Sequence, residues 1–135
     1  MGKKTRKNSI PLAQLAARER QIVEAVYRLG EAGVGEVLAA IDNPPTYSAV
    51  RAMMTTLVQK GVLKYRREKT KYLYSPVVGV DTAQRSVMRN LLDNFFAGNP
   101  AKAVAALLDV ASEKLTDDDC SEIRKLIDNA RKEGR

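Results

Sequence analysis

Thr46, Tyr47, Ser48, Arg51 and Thr55 gather hydroxyls and one guanidinium into a short stretch that opens directly after Pro44 and Pro45. Side chains of these types hydrogen-bond to base edges and phosphate oxygens when a helix enters a major groove. Arg66, Lys69 and Lys71 follow within Lys60 to Tyr72, a stretch with six basic residues and one acidic. A cationic loop of that kind can follow a sugar–phosphate backbone. A three-helix domain with a merely solvated cationic hairpin has the same composition. The order of the features, polar helix start and then cationic hairpin, favours the groove-reading alternative.

Other chemistry is poorly supplied. The chain has no His, which excludes His-based metal sites, a Ser/His/Asp triad and an imidazole general base. Cys120 is the single cysteine, so neither an intrachain disulfide nor a paired-cysteine metal knuckle can form. It falls on the apolar face of a helix, where an inert thiol is the simpler reading than a redox or metal site. Asp117, Asp118 and Asp119 suit the positive end of a helix dipole better than a cation site. No nucleophile is paired with a base and no Gly-rich phosphate loop is present, so an enzyme is the weakest class, and neither cofactor nor metal is expected. Trp is absent and Phe occurs twice, too few for a base-stacking platform. Tyr65, Tyr72 and Tyr74 alternate in a hairpin pattern and are expected to pack against the helices. No run approaches the ~20 apolar residues of a membrane span, and the N-terminus lacks a signal-peptide core, so the expectation is a cytoplasmic protein without membrane insertion.

The elements that position these residues follow from periodicity. Ile22, Val26 and Leu29 recur on one face of a helix over 16–29, and Gly30 is placed to end it. A shorter helix over 35–41 turns Val34, Val37, Leu38 and Ile41 inward. Asp42-Asn43-Pro44-Pro45 then punctuates the chain, because consecutive prolines supply no backbone donors and disfavour helix before them. A third helix opens near Thr46 to Ser48, where a hydroxyl can accept from the first-turn N–H groups, buries Val50, Met53 and Leu57 with Met54 a further candidate for the stripe, and ends at Lys60-Gly61. Residues 62–67 and 71–75 change to a strand pattern around Glu68-Lys69-Thr70, with Arg66, Lys69 and Lys71 expected at the hairpin tip. Helix, helix, turn, helix, hairpin is the winged helix-turn-helix plan.

Charge divides the chain. Residues 1–77 carry 14 basic and 6 acidic side chains, a balance of +8, whereas residues 78–135 carry 9 and 10, a balance of −1. The whole 135-residue chain is at +7. We expect a disordered basic arm over 1–11, a winged helix-turn-helix DNA-binding domain over 12–77 and a helical dimerisation domain over 78–135. In that last part Val87, Leu91 and Phe95 form one stripe, and Gly98-Asn99-Pro100 breaks the helix before another through Leu107. A capping box at Thr116 starts a third helix lined by Cys120, Ile123, Ile127 and Ala130. Three short helices have too little interior to bury these stripes alone, so Val87, Leu91, Phe95, Ile123, Ile127 and Ala130 are expected at a homodimer interface.

The stretch Pro44 to Leu63, PPTYSAVRAMMTTLVQKGVL, with the basic hairpin ending in KYLYSP, resembles the penicillinase-repressor (BlaI/MecI/CopY) family of winged-helix transcriptional regulators. Arg18 to Val26, RERQIVEAV, is similar to that family's opening helix, and Phe95-Phe96-Ala97-Gly98 to its break before the last two helices. The resemblance spans about Leu12 to Asn129. It implies an N-terminal DNA-binding domain, a C-terminal dimerisation domain and repression at palindromic, dyad-symmetric operators in double-stranded DNA. Ser48 and Arg51 fall where the family contacts the operator. Ala49 stands where Thr is usual and Thr56 where Arg is frequent, so the operator sequence does not carry over. The Cys-rich C-terminal motif of the copper-responsive branch is missing, which argues against copper sensing. In the β-lactam branch a membrane-linked sensor protease is a further partner and cuts an Asn-Phe bond in the fifth helix. Here residues 103–110 hold no such pair, and Asn94-Phe95 lies one helix earlier. The alternative class is a winged-helix protein-interaction module that meets an acidic partner and has nonspecific nucleic-acid affinity.

Overall fold

Side-chain oxygens of Thr46, Asn99 and Thr116 cap the starts of three of the helices. The computed structural model describes Leu12 and residues 15–134, so the basic arm expected over 1–11 lies outside the described residues. The elements are α1 (Ala17–Leu29), α2 (Val34–Ala40), α3 (Tyr47–Gln59), β1 (Leu63–Glu68), β2 (Lys71–Pro76), α4 (Val80–Phe95), α5 (Pro100–Val110) and α6 (Asp117–Lys132). This is a mainly α chain with a two-stranded antiparallel wing, as the periodicity predicts. The second helix starts at Val34 rather than at Gly35. The Glu36 carboxylate accepts from the Gly33 backbone N–H at 2.9 Å and fixes that earlier start.

α1, α2, α3 and the hairpin enclose one core. Ile22, Val23, Val26, Val37, Val50, Met54, Leu57 and Leu63 are its largest fully buried side chains. Met54, not Met53, is the buried methionine of α3, and Met53 only packs against the rim. At 3.6 residues per turn Met54 lies four positions beyond Val50 and three before Leu57, in the middle of the stripe. Leu29 is also displaced from expectation, at 44% exposed, because Gly30 turns the chain away at φ +83° immediately after it. A backbone bridge joins Ala32 to Tyr74, with N–H···O distances of 2.9 and 2.8 Å, and so attaches β2 to the α1–α2 connection. The Tyr27 hydroxyl donates to the Val78 carbonyl at 2.8 Å, tying α1 to the end of the wing segment. The Lys60 ammonium reaches the Glu19 carboxylate at 2.8 Å and links the end of α3 to the first turn of α1.

Backbone contacts divide the chain into two compact units, one through Asn90 and one from Leu91, with the division inside α4. In the second unit α5 takes Asn99 as its cap, whose side chain accepts from Lys102 N at 3.1 Å, with Pro100 in the first turn. α6 has the capping box expected at Thr116. Its hydroxyl accepts from Asp119 N, and the Asp119 carboxylate accepts from Thr116 N, both at 3.0 Å. The break between α4 and α5 is made by Ala97 and Gly98, both at positive φ. No described residue after Tyr74 is buried, and no pair among α4, α5 and α6 packs extensively. Of fourteen exposed large hydrophobics among the described residues, ten lie from Val80 onward, Phe95 at 73% and Val110 at 84% among them. No helix among the described residues is long and apolar enough to cross a membrane.

Candidate nucleic-acid interface

The third helix is anchored so that its N-terminal turn faces outward. Its buried stripe of Val50, Met54 and Leu57 fixes the rotation, which leaves Tyr47, Ser48, Arg51 and Thr55 exposed. Thr46 makes the cap that a hydroxyl at this helix start predicts. Its hydroxyl accepts from Ala49 N at 3.1 Å and so fixes the start of the exposed α3 face. The Thr55 hydroxyl donates back to the Arg51 carbonyl at 3.1 Å.

The wing's register decides which residues share a face. Tyr65 pairs with Tyr74 and Arg67 with Tyr72, so all three tyrosines lie on one side of the hairpin. Only Tyr74 is buried there, at 5% exposed. Tyr65 and Tyr72 stay 54% and 43% exposed, contrary to the expectation that all three pack on the helices. Tyr65 lies opposite Tyr74 on the outer strand, and it packs edge-to-face on Tyr72 with centroids 5.0 Å apart and against Tyr74 at 5.9 Å. The turn is Lys69-Thr70. Lys69 takes φ +58°, the left-handed region that glycine or asparagine usually fills, because no Asn-Gly or Asp-Gly pair is present to supply it.

A groove of about 710 Å³ lies between the α3 face and the wing. Tyr47 and Arg51 form one wall, Thr70, Lys71, Tyr72 and Tyr74 the other, and residues 33–36 with Ala39 the floor. Burial pushes the Tyr74 phenol above its ordinary pKa, while the nearby Arg51 charge acts in the opposite direction. Of the residues singled out from the sequence, Tyr47, Arg51 and Lys71 therefore line one groove. Ser48, Thr55 and Lys69 are exposed outside its lining.

Arg66 is a correction. It is not at the tip: it pairs with Leu73, on the opposite hairpin face from the tyrosines. Its Nε and Nη2 donate to the two carboxylate oxygens of Glu31 at 2.7 and 2.9 Å, and Nη1 lies 3.7 Å from Glu68. The hydrogen bond from Arg66 holds the Glu31 carboxyl below its usual pKa. Sequence reasoning had no means of finding this partner, 35 residues away. It also missed Thr70, Tyr72 and the start of α2 as groove lining. The signal for Tyr72 was present in the strand alternation that puts it beside Lys71 and on the same face as Tyr74.

In the second unit Val87, Leu91, Phe95 and Ile127 are exposed at 40%, 37%, 73% and 53%, Ala130 is exposed and Ile123 is half-buried. Cys120 is half-buried on α6.

The family model described as penicillinase repressor matches residues 15–129. No curated protein sequence matches the chain. Among solved structures, the chain is similar to BpsR of Bordetella bronchiseptica, from work on the regulation of its DNA binding by 6-hydroxynicotinic acid. The identity is 20%, over 80% of this chain and 82% of that one, with a TM-score of 0.46.

Proposed function

The chain belongs to the penicillinase repressor family, and from that premise we propose that it represses transcription by binding a dyad-symmetric operator in double-stranded DNA as a homodimer. The observation that carries this reading is the groove with Arg51 and Tyr47 on its helical wall and Lys71 on its wing wall. On this reading Tyr47, Ser48, Arg51 and Thr55 face the major groove, and Arg51 bonds a guanine edge through both of its terminal nitrogens. Thr46 holds the helix start, and Lys69 and Lys71 neutralise phosphates flanking the read bases. The second copy is recruited through α4, α5 and α6, whose apolar side chains lack a buried core of their own. A membrane-linked sensor protease is a further partner by family resemblance alone. The protein works in the cytoplasm, without cofactor or catalysis.

A gel shift with the gene's own upstream region, after retention on heparin, tests the reading. A discrete shifted band, lost with Arg51→Ala, is expected. Heparin retention without a discrete band would indicate a cationic protein-interaction module instead.

A further inference from the structure

We propose that Arg66 and Glu31 form a clamp that sets the orientation of the wing, so that Arg66 acts as a positioning residue and not as a phosphate contact. This inference rests on the DNA-binding reading above. Arg66 stands in β1, the outer strand of the hairpin, and Glu31 adjoins Ala32, whose backbone bridges to Tyr74 of β2. Glu31 and Arg66 are thus separated by the whole width of β2, and the ion pair crosses that strand. The fork of two hydrogen bonds, 2.7 and 2.9 Å, specifies direction as well as distance, which a single contact would not. Glu68 adds a second carboxylate at 3.7 Å, leaving the guanidinium with two anionic neighbours. A phosphate would have to compete with both of them. The face carrying the clamp also holds Leu73, the register partner of Arg66, which is only 8% exposed. At the turn the Arg67 Nε donates to the Lys69 carbonyl at 3.2 Å, a bond within the hairpin that does not tie it to the helical body, while Lys71 and Tyr72 must stand opposite Arg51 for the groove to exist. The bridge at Ala32 and the buried Leu63 and Tyr74 hold the base of the hairpin, and the Tyr27–Val78 hydrogen bond ties its exit. Arg66 and Glu31 add a side-chain tie one residue pair nearer the turn.

The two roles predict opposite signs at Glu31. Removing an acidic charge beside a DNA-binding surface strengthens binding on electrostatic grounds, and more so if it frees a phosphate contact. Removing one half of a clamp weakens binding despite that gain.

The test uses the full chain and a fluorescein-labelled, mixed-sequence duplex of about 30 base pairs, titrated across salt concentrations. Arg66→Ala and Glu31→Ala are each expected to weaken binding, by roughly 2- to 10-fold for an exposed but bidentate pair. Neither should change the slope of log affinity against log salt. The exchanged pair, Glu31→Arg with Arg66→Glu, restores affinity. In the free chain, amide exchange at Ala32 and Tyr74 accelerates in both single variants and recovers in the exchanged pair. Tighter binding by Glu31→Ala, or a slope flattened by about 0.9 in Arg66→Ala, would overturn the clamp and make Arg66 a phosphate contact. A wild-type chain that binds no duplex would overturn the DNA-binding reading instead. The exchange rates then decide the clamp on their own, and unchanged rates in both single variants would overturn it.

Discussion

Arg51 stands one helical turn beyond the Thr46 cap, exposed, and near enough to Tyr74 for its charge to act on the phenol. If it reads a guanine, Arg51→Ala should cost ~1–3 kcal/mol on the preferred operator and relax the preference at one position per half-site. Competition binding against single-base variants measures this, and an equal loss on every sequence would make Arg51 a phosphate contact. The core makes an equally local prediction. Met54→Ala should lower the unfolding free energy by ~2–5 kcal/mol in urea, and Met53→Ala by much less, because only Met54 is enclosed on all sides. The outward set around Arg51 was legible because charge and hydroxyls rarely share a stripe with Val50 and Leu57. The choice between the two adjacent methionines was not, since either fits a helical period within half a turn. The capping task of Thr46 was legible as a hydroxyl at a helix start after two prolines.

The wing is where the reading of the sequence and the structure part most. Alternation revealed two strands and a cationic turn, and the register bears out both. Alternation alone does not tell how far each ring is covered, because β2 lies between the α1–α2 connection and β1 and leaves Tyr65 on the outer strand exposed opposite buried Tyr74. Nor does it show an ion pair closed by the tertiary fold, which is why Arg66 was grouped with Lys69 and Lys71. The lysines separate from it in a salt titration. Replacing Lys69 with Ala should flatten the slope of log affinity against log salt by roughly 0.9, one phosphate's share. An unchanged slope for both Lys69→Ala and Lys71→Ala would put the wing away from the DNA backbone. Some helix ends were legible from residue type alone, such as the Thr116 capping box, whereas the Asn99 cap lay within a stretch read only as a break.

The molecule joins a unit with a closed core to helices that have none. Every buried residue among those described lies between Leu15 and Tyr74, so a chain ending at Gly79, which keeps the Val78 carbonyl for Tyr27, should unfold cooperatively as a monomer. The full chain should run at twice 14.9 kDa by light scattering at micromolar concentration. The truncated chain should bind operator ~10²–10⁴-fold more weakly, because pairing two readers makes the second contact effectively intramolecular. The sequence shows more apolar stripe than three short helices can bury, and the structure leaves those side chains without a buried core among the described residues. Selection of bound sequences from a pool of randomised duplexes tests DNA reading and pairing together. The full chain should enrich an inverted repeat whose half-sites are centred about 10 base pairs apart, or a multiple of that, and Arg51→Ala should blur one position in each half. A pool that emerges unenriched would contradict the account.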